Sequence, residues 1–346
     1  MRIIDSDAHV IETEHTWDFL DAVEEQYRPR TVVPRDPPTS EGPRGREFWL
    51  VDGRLESRRS NIGLDTTEAL REMEDIEGRL RHMDELGIDV QVLYPSLFLR
   101  PVTSRPEVEL ALCKTYNRWM ADIWAKGRGR LRWACMLPWF TVDRAVEQLR
   151  FSKENGACAI FARYAEADQL LVSPSFYPVY EEANSLNVPL CVHASSGTIA
   201  THELFSGGAG GVPTFKLGPI GAFHSIAISK LPDLFPNLRF GFIEVQAQWV
   251  PYICHDLYRR SKFTATWWKD GLLRERRLYV ACQTDDDLPY VLQYAGEDNL
   301  VIGSDYGHND TSSEIQALRN IREKGGVEPR IIDKILDDNA RALYGL

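Results

Sequence analysis

The chain has 346 residues, 43% of them apolar, and a formal net charge of −11. That size is enough to bury a large core and fits one barrel-sized domain, and the acidic balance argues against nucleic acid or an anionic membrane as the partner. No apolar run reaches the roughly 18 residues of a membrane-spanning helix, and no basic start leads into an apolar stretch as in a signal peptide, so a cytoplasmic protein is expected.

Residues 1–9 read MRIIDSDAH. Ile3 and Ile4 open a strand, along which side chains alternate between faces, so Asp7 and His9 share one face with Asp5 behind them. Glu12 follows, with two readings: a carboxylate turned back toward Asp7 and His9, or a solvated loop residue. Residues 31–67 are rich in Pro, Gly and Arg, with a hairpin expected around Asp52-Gly53. This segment reads as an insertion over the mouth of a larger unit, which makes 1–346 a single domain.

In 68–86, Leu70, Met73, Ile76, Leu80, Met83 and Leu86 repeat at helical spacing, and Gly87 ends the run. Strands are then expected at 88–93, 131–136, 157–161, 188–193, 238–244, 277–282 and 300–305. Helices are expected at 106–124, 142–154, 173–186, 218–231, 246–268, 288–294, 312–324 and 329–343. The loop 195–217 is Gly-rich around 207–211 and reads as part of a lid. The six cysteines form no C-x-x-C pair, four of them lie on expected strands, and they read as reduced thiols.

Apolar strands alternating with helices imply parallel βαβ units with right-handed crossovers. Eight such units imply an α/β fold of the (β/α)8 or TIM-barrel kind, whose site lies at the C-terminal ends of the strands. Asp7, His9, His193, Glu244 and Asp305 all fall there. Imidazoles with carboxylates suit Zn, Mn or Fe better than Cu.

The order Asp7-x-His9 on the first strand, His193 after the fifth and Ser304-Asp305-Tyr306 after the eighth resembles the amidohydrolase superfamily, in its decarboxylase-like branch. The likeness runs over nearly the whole chain, including Phe235-Pro236-Asn237-Leu238-Arg239-Phe240 before the sixth strand. It implies a divalent metal held by Asp7, His9, His193 and Asp305. Two departures stand out. Decarboxylases of the branch carry a catalytic His at the end of strand six, where this chain has Glu244. Bimetallic hydrolases of the superfamily bridge their metals with a carboxylated Lys or a Glu on strand four, and 157–163 holds neither.

Further ligand capacity lies elsewhere. His224 is either a ligand at the mouth or a buried, hydrogen-bonded His. His308 is a ligand, an acid/base or an orienter of a ligand. A narrower resemblance, carried by Cys282-Gln283-Thr284-Asp285-Asp286-Asp287-Leu288-Pro289-Tyr290 and by Gly307, is to the TIM-barrel nonheme diiron monooxygenases of platensimycin-type diterpenoid biosynthesis. It implies two Fe held by Asp7, His9, His193, His224, Glu244 and Asp305, with Glu244, His308 and Glu12 in catalytic roles. It also implies hydroxylation of an unactivated carbon in a small, coenzyme A-linked substrate, with an external electron donor. The alternative is one Zn or Mn for hydrolysis or decarboxylation, with Glu244 as base and His308 as acid. Arg100, Arg163 and Lys216 are either anion holders or surface charges. Asp285, Asp286 and Asp287 are either ligands or helix caps. A homodimer is expected.

Overall fold

The structure, a computed structural model, describes residues 1–33, 47–58, 62–63, 65–206, 210–260 and 271–346. Eight parallel strands follow one another around a barrel in chain order: β1 (Ile4–His9), β2 (Val90–Tyr94), β3 (Leu131–Cys135), β4 (Ala157–Ala162), β5 (Leu190–His193), β6 (Phe240–Ile243), β7 (Leu278–Cys282) and β8 (Leu300–Ile302). Their sequences are the continuous apolar runs that buried parallel strands require; every residue of ACAIFA in β4 and LYVAC in β7 is buried.

Closure falls just past the end of β8. Asp305 N donates to Asp7 O at 2.9 Å, and His9 N donates to Tyr306 O at 2.8 Å. Gly303 permits this approach, since a Cβ there would stand 2.2 Å from Asp7 Cβ.

Helices cover the barrel. The expected helix 68–86 is two pieces, Glu68–Arg71 and Ile76–Leu86. Between them Met73 takes the left-handed conformation (φ 62°), and Asp75 caps the second piece by accepting Gly78 N at 2.7 Å. The buried guanidinium of Arg71 donates to Gly63 O and Thr66 O, which ties this break to the insertion. The expected loop 195–217 contains the helix Ile199–Ser206 and a π-helical turn, Val212–Lys216, that runs into the helix Leu217–Ile228. The helix expected over 246–268 spans Val250–Arg260; Trp267 and Trp268 lie outside the described residues, as do 207–209 of the expected lid and 34–46, 59–61 and 64 of the insertion.

The hairpin of the insertion pairs Phe48–Val51 with Arg54–Ser57 across Asp52 (φ 48°) and Gly53 (φ 78°), the two left-handed residues such a turn needs. A third strand, Arg30–Val32, adds to it. Trp49 packs edge-on against Trp17 at 5.6 Å, both buried. All six cysteines are buried and free. Among the described residues no helix is long and apolar enough to cross a membrane.

Candidate metal centre

The C-terminal ends of β1, β5, β6 and β8 bring their polar side chains to one point. His9 Nδ1 lies 3.1 Å from Pro95 O, and His193 Nδ1 lies 3.1 Å from Ala194 O. A carbonyl only accepts, so each Nδ1 carries a proton; the His9 Nε2, with no hydrogen-bond partner, presents a lone pair, whereas the His193 Nε2 lies at hydrogen-bond distance from Asp7 Oδ1. Those two Nε2 atoms stand 3.4 and 3.2 Å from the same oxygen, Asp7 Oδ1. The buried Nε2 of His9 has no hydrogen-bond partner, and the buried Oδ1 of Asp305 lies 3.4 Å away. Unpaired acceptors converging in a buried place are unfavourable unless a cation sits among them. The donor set, imidazole nitrogen with carboxylate oxygen, suits a divalent Zn, Mn or Fe.

Three overlapping groups have ligand atoms within 4.8 Å of one another: Asp7, His9, His193 and Glu244; His9, Asp305 and His308; and Glu244, Asp305 and Asp310. Glu244 Oε2 is 3.4 Å from His193 Nδ1, and His308 Nδ1 is 2.9 Å from Asp305 Oδ1. Glu244 (φ 61°) and Asp305 (φ 51°) both occupy the left-handed region, where the backbone turns out of the strand. Non-glycine residues are held there at some energetic cost, and such positions gather at functional sites.

The charges follow from this crowding. Burial, then the carboxylates of Asp305, Asp310 and Asp7, push Glu244 well above the usual carboxylate range. Burial raises Asp310 too, aided by Asp305. Burial works against ionised Asp7, but His193 and His9 outweigh it and hold the group low. Burial, and the charge of His308, push His9 down to about 4, so its imidazole is neutral at ordinary pH. Burial opposes the charged form of His308, but Asp305 outweighs it and raises that group.

Beneath this set, Asp5 binds the β8 turn by accepting Ser304 N at 2.9 Å and Ser304 Oγ at 2.6 Å, with Gln91 Nε2 on its second oxygen at 2.9 Å. Ser313 Oγ donates to Asp305 Oδ2 at 2.5 Å. The carboxylates therefore sit on a hydrogen-bonded base that spans β1, β2 and β8.

Six of the eight residues expected from sequence meet here: Asp7, His9, His193, Glu244, Asp305 and His308. Glu12 also turns inward, not to solvent. It is buried and accepts Ser96 N and Leu97 N at 3.1 and 2.9 Å, and burial raises it to about 7. Ser96 Oγ in turn contacts His308 Nε2 at 2.8 Å.

His224 is the correction. It lies on the helix Leu217–Ile228, part-exposed, 3.6 Å from Asp256 on the helix Val250–Arg260, and belongs to none of the ligand groups. Helical structure begins at Val212, so His224 lies well inside it and its ring faces the helix Val250–Arg260. Arg163 is paired with buried Glu166. Asp287 caps the helix Leu288–Ala295 through Tyr290 N, and Asp286 accepts Ala247 N and Gln283 N. Asp310 was missed, although it continues the same loop as Asp305 and His308.

A cleft lined by Glu12, Arg58, Arg100, Phe215, Glu244 and His308 opens onto the cluster. Arg100 lies 5.8 Å from the Phe215 ring centre, and buried Lys216 donates to Ser312 at 3.2 Å.

Comparison with known proteins agrees with this picture. A family model described as amidohydrolase matches residues 4–346. An amidohydrolase from Mycobacterium avium subsp. paratuberculosis K-10 superposes with a TM-score of 0.77 at 20% identity, covering 100% of this chain and 98% of that one. The 5-carboxyvanillate decarboxylase of Sphingomonas paucimobilis gives 0.66 at 15% identity, covering 100% and 99%. The dihydroxybenzoic acid decarboxylase of Polaromonas sp. JS666, with bound manganese and an inhibitor, gives 0.63 at 17%, covering 100% and 97%. At such identities the likeness to solved structures concerns the fold. The match over 4–346, with the barrel it predicts, places the chain in the amidohydrolase family.

Proposed function

We propose that the protein is a metal-dependent hydrolase or decarboxylase of a small carboxylate-bearing molecule. The observation that carries this reading is Glu244: a buried carboxyl, held protonatable by its surroundings, beside a convergent set of unpaired ligands. Asp7, His9, His193 and Asp305 would hold a divalent cation. Such a cation supplies Lewis acidity, acidifying water and polarising a substrate oxygen. Glu244 delivers a proton to the carbon that loses carbon dioxide or, once a bound cation favours its ionised form, takes the proton of the attacking water, and His308 steadies developing negative charge through its own positive charge. Arg58 and Arg100, paired with Glu47 and Glu56, line the cleft and are the cations a substrate carboxylate meets there. Manganese in a structural neighbour and decarboxylase activity in several support the reading.

A second reading keeps a specific observation in its favour. Seven candidate ligands in three overlapping groups exceed what one cation uses, and four of them are carboxylates, the donors that link two irons. On that reading the centre is a nonheme diiron monooxygenase, served by an external electron donor and acting on a coenzyme A-linked substrate.

One experiment separates them. Protein reconstituted with Mn, Zn or Fe is assayed with benzoate- and lactone-type carboxylates for carbon dioxide release and ring opening, and Fe-loaded protein is assayed for oxygen uptake with a reductant. Turnover without oxygen uptake supports the first reading. Uptake by protein holding two irons per chain replaces it with the second.

A further inference from the structure

A second cavity, of about 350 Å³, lies in the other half of the mouth. Its walls come from the segments after β2, β3, β4 and β5, whereas the ligand cluster stands on β1, β5, β6 and β8. The short turn Leu97–Leu99 divides them: Phe98 faces the second cavity, while Leu97 and Leu99 line the cleft at the cluster. The volume lies within the roughly 300–1,000 Å³ of pockets that take small organic ligands.

One wall is apolar, built from Phe98, Leu112, Met136 and Phe140. Two buried polar groups interrupt it. Arg163 is only 7% exposed; its Nη1 donates to Phe98 O at 3.1 Å, its Nη2 pairs with Glu166, and its Nε has no hydrogen-bond partner. Glu109 is only 8% exposed and accepts Phe140 N at 2.9 Å. Burial raises Glu109 to about 8, so near neutral pH it carries a proton and can donate. The cavity lining thus includes two buried donors, of which Arg163 Nε has no acceptor among the described residues.

The charges also discriminate. Glu166 neutralises Arg163, and Arg54 on the rim is paired with Glu203 at 2.7 Å. Asp168 adds a further negative charge at the edge. Among the described residues of the lining no net positive charge remains for an anion. We propose that this cavity is a separate binding site for an uncharged organic molecule, with an apolar body of about two fused rings and one hydrogen-bond-accepting head that takes Arg163 Nε–H and the Glu109 carboxyl. The site stands whichever reaction the metal cluster performs.

Isothermal titration of the full chain with 2-acetylnaphthalene and with 2-naphthoate tests it. The two probes share a body and differ in head charge. The ketone is expected to bind saturably, and the anion about ten-fold more weakly or worse. Ala200→Trp, on the exposed side of the cavity lining, is expected to weaken the ketone by about ten-fold or more while His9→Ala leaves its binding unchanged. Arg163→Met is expected to weaken it also; should that variant fail to fold, Ala200→Trp alone carries the test. Absence of saturable ketone binding, equal binding of the two probes, indifference to Ala200→Trp, or loss in His9→Ala overturns the proposal.

Discussion

His9 Nε2 and Asp305 Oδ1 stand 3.4 Å apart and buried; the first has no hydrogen-bond partner, and the second pairs with His308 Nδ1 at 2.9 Å. Both atoms are acceptors when His9 is neutral, so the pair is a place for a cation. The first prediction follows. Adding Mn or Zn to metal-free protein raises its melting temperature by a few degrees, as saturation with a ligand of the folded state does. In His9→Ala and Asp305→Ala the rise disappears, while the metal-free melting temperature stays near that of the parent or above it, since Asp305→Ala also removes one carboxylate from a crowded cluster. A rise in both variants equal to that of the parent contradicts the assignment.

Glu244 separates ligation from proton transfer. Glu244→Gln keeps the shape and removes the protonatable oxygen. Turnover is expected to fall about 10²–10⁴-fold with one bound cation retained, the range for loss of a general acid or base. Metal analysis of the variant beside its rate makes the check. Loss of all bound metal would make Glu244 a required ligand and remove its proposed role.

Glu109 links folding to pH. Burial raises its folded-state pKa from 4.5 to about 8. Between those values the folded chain holds a proton that the unfolded chain has released, so stability falls as pH rises through that window and the loss is complete above about 8. Glu109→Gln cannot ionise and keeps an oxygen for Phe140 N. Denaturant midpoints at pH 6 and pH 9 should therefore differ more in the parent than in the variant, the parent losing more at pH 9. Equal differences would place Glu109 in an ordinary, solvated setting.

Gly303→Ala tests barrel closure. The new Cβ would stand 2.2 Å from Asp7 Cβ and 2.7 Å from Asp7 N, so one strand must move. A loss of about 2 kcal/mol or more is expected from such overpacking, with weaker metal binding because Asp7 shifts. Gly221→Ala, where the added Cβ meets nothing within 4 Å, is the control and is expected to be neutral or slightly stabilising. Equal behaviour of the two variants in thermal and metal titrations would show that the β1–β8 contact is slack.

Asp7, His9, His193 and Asp305 were legible because each ends an apolar strand, and in a parallel barrel the strand ends are where chain direction and site coincide. Asp52-Gly53 was legible because a tight hairpin needs two left-handed residues. His224 was misplaced because it was read as beginning a helix at the mouth, whereas helical structure already starts at Val212 and His224 lies well inside it, where helical phase decides where a side chain points. Asp310 went unread because a loop carries no periodicity, and Glu12 stayed ambiguous because its partners, the amides of Ser96 and Leu97, are backbone atoms some 85 residues away. The break at Met73 was hidden since its apolar spacing continues across it; the capping Asp75 was its only sign.

The most direct test of the metal centre is elemental analysis of protein purified without oxygen, loaded with Mn, Zn or Fe and desalted, beside His9→Ala treated in the same way. At least one divalent ion is expected to be retained per chain, with a large loss in the variant. Metal in the parent no higher than in His9→Ala would contradict the assignment, and would leave the orphan Nε2 of His9 without a cation to explain it.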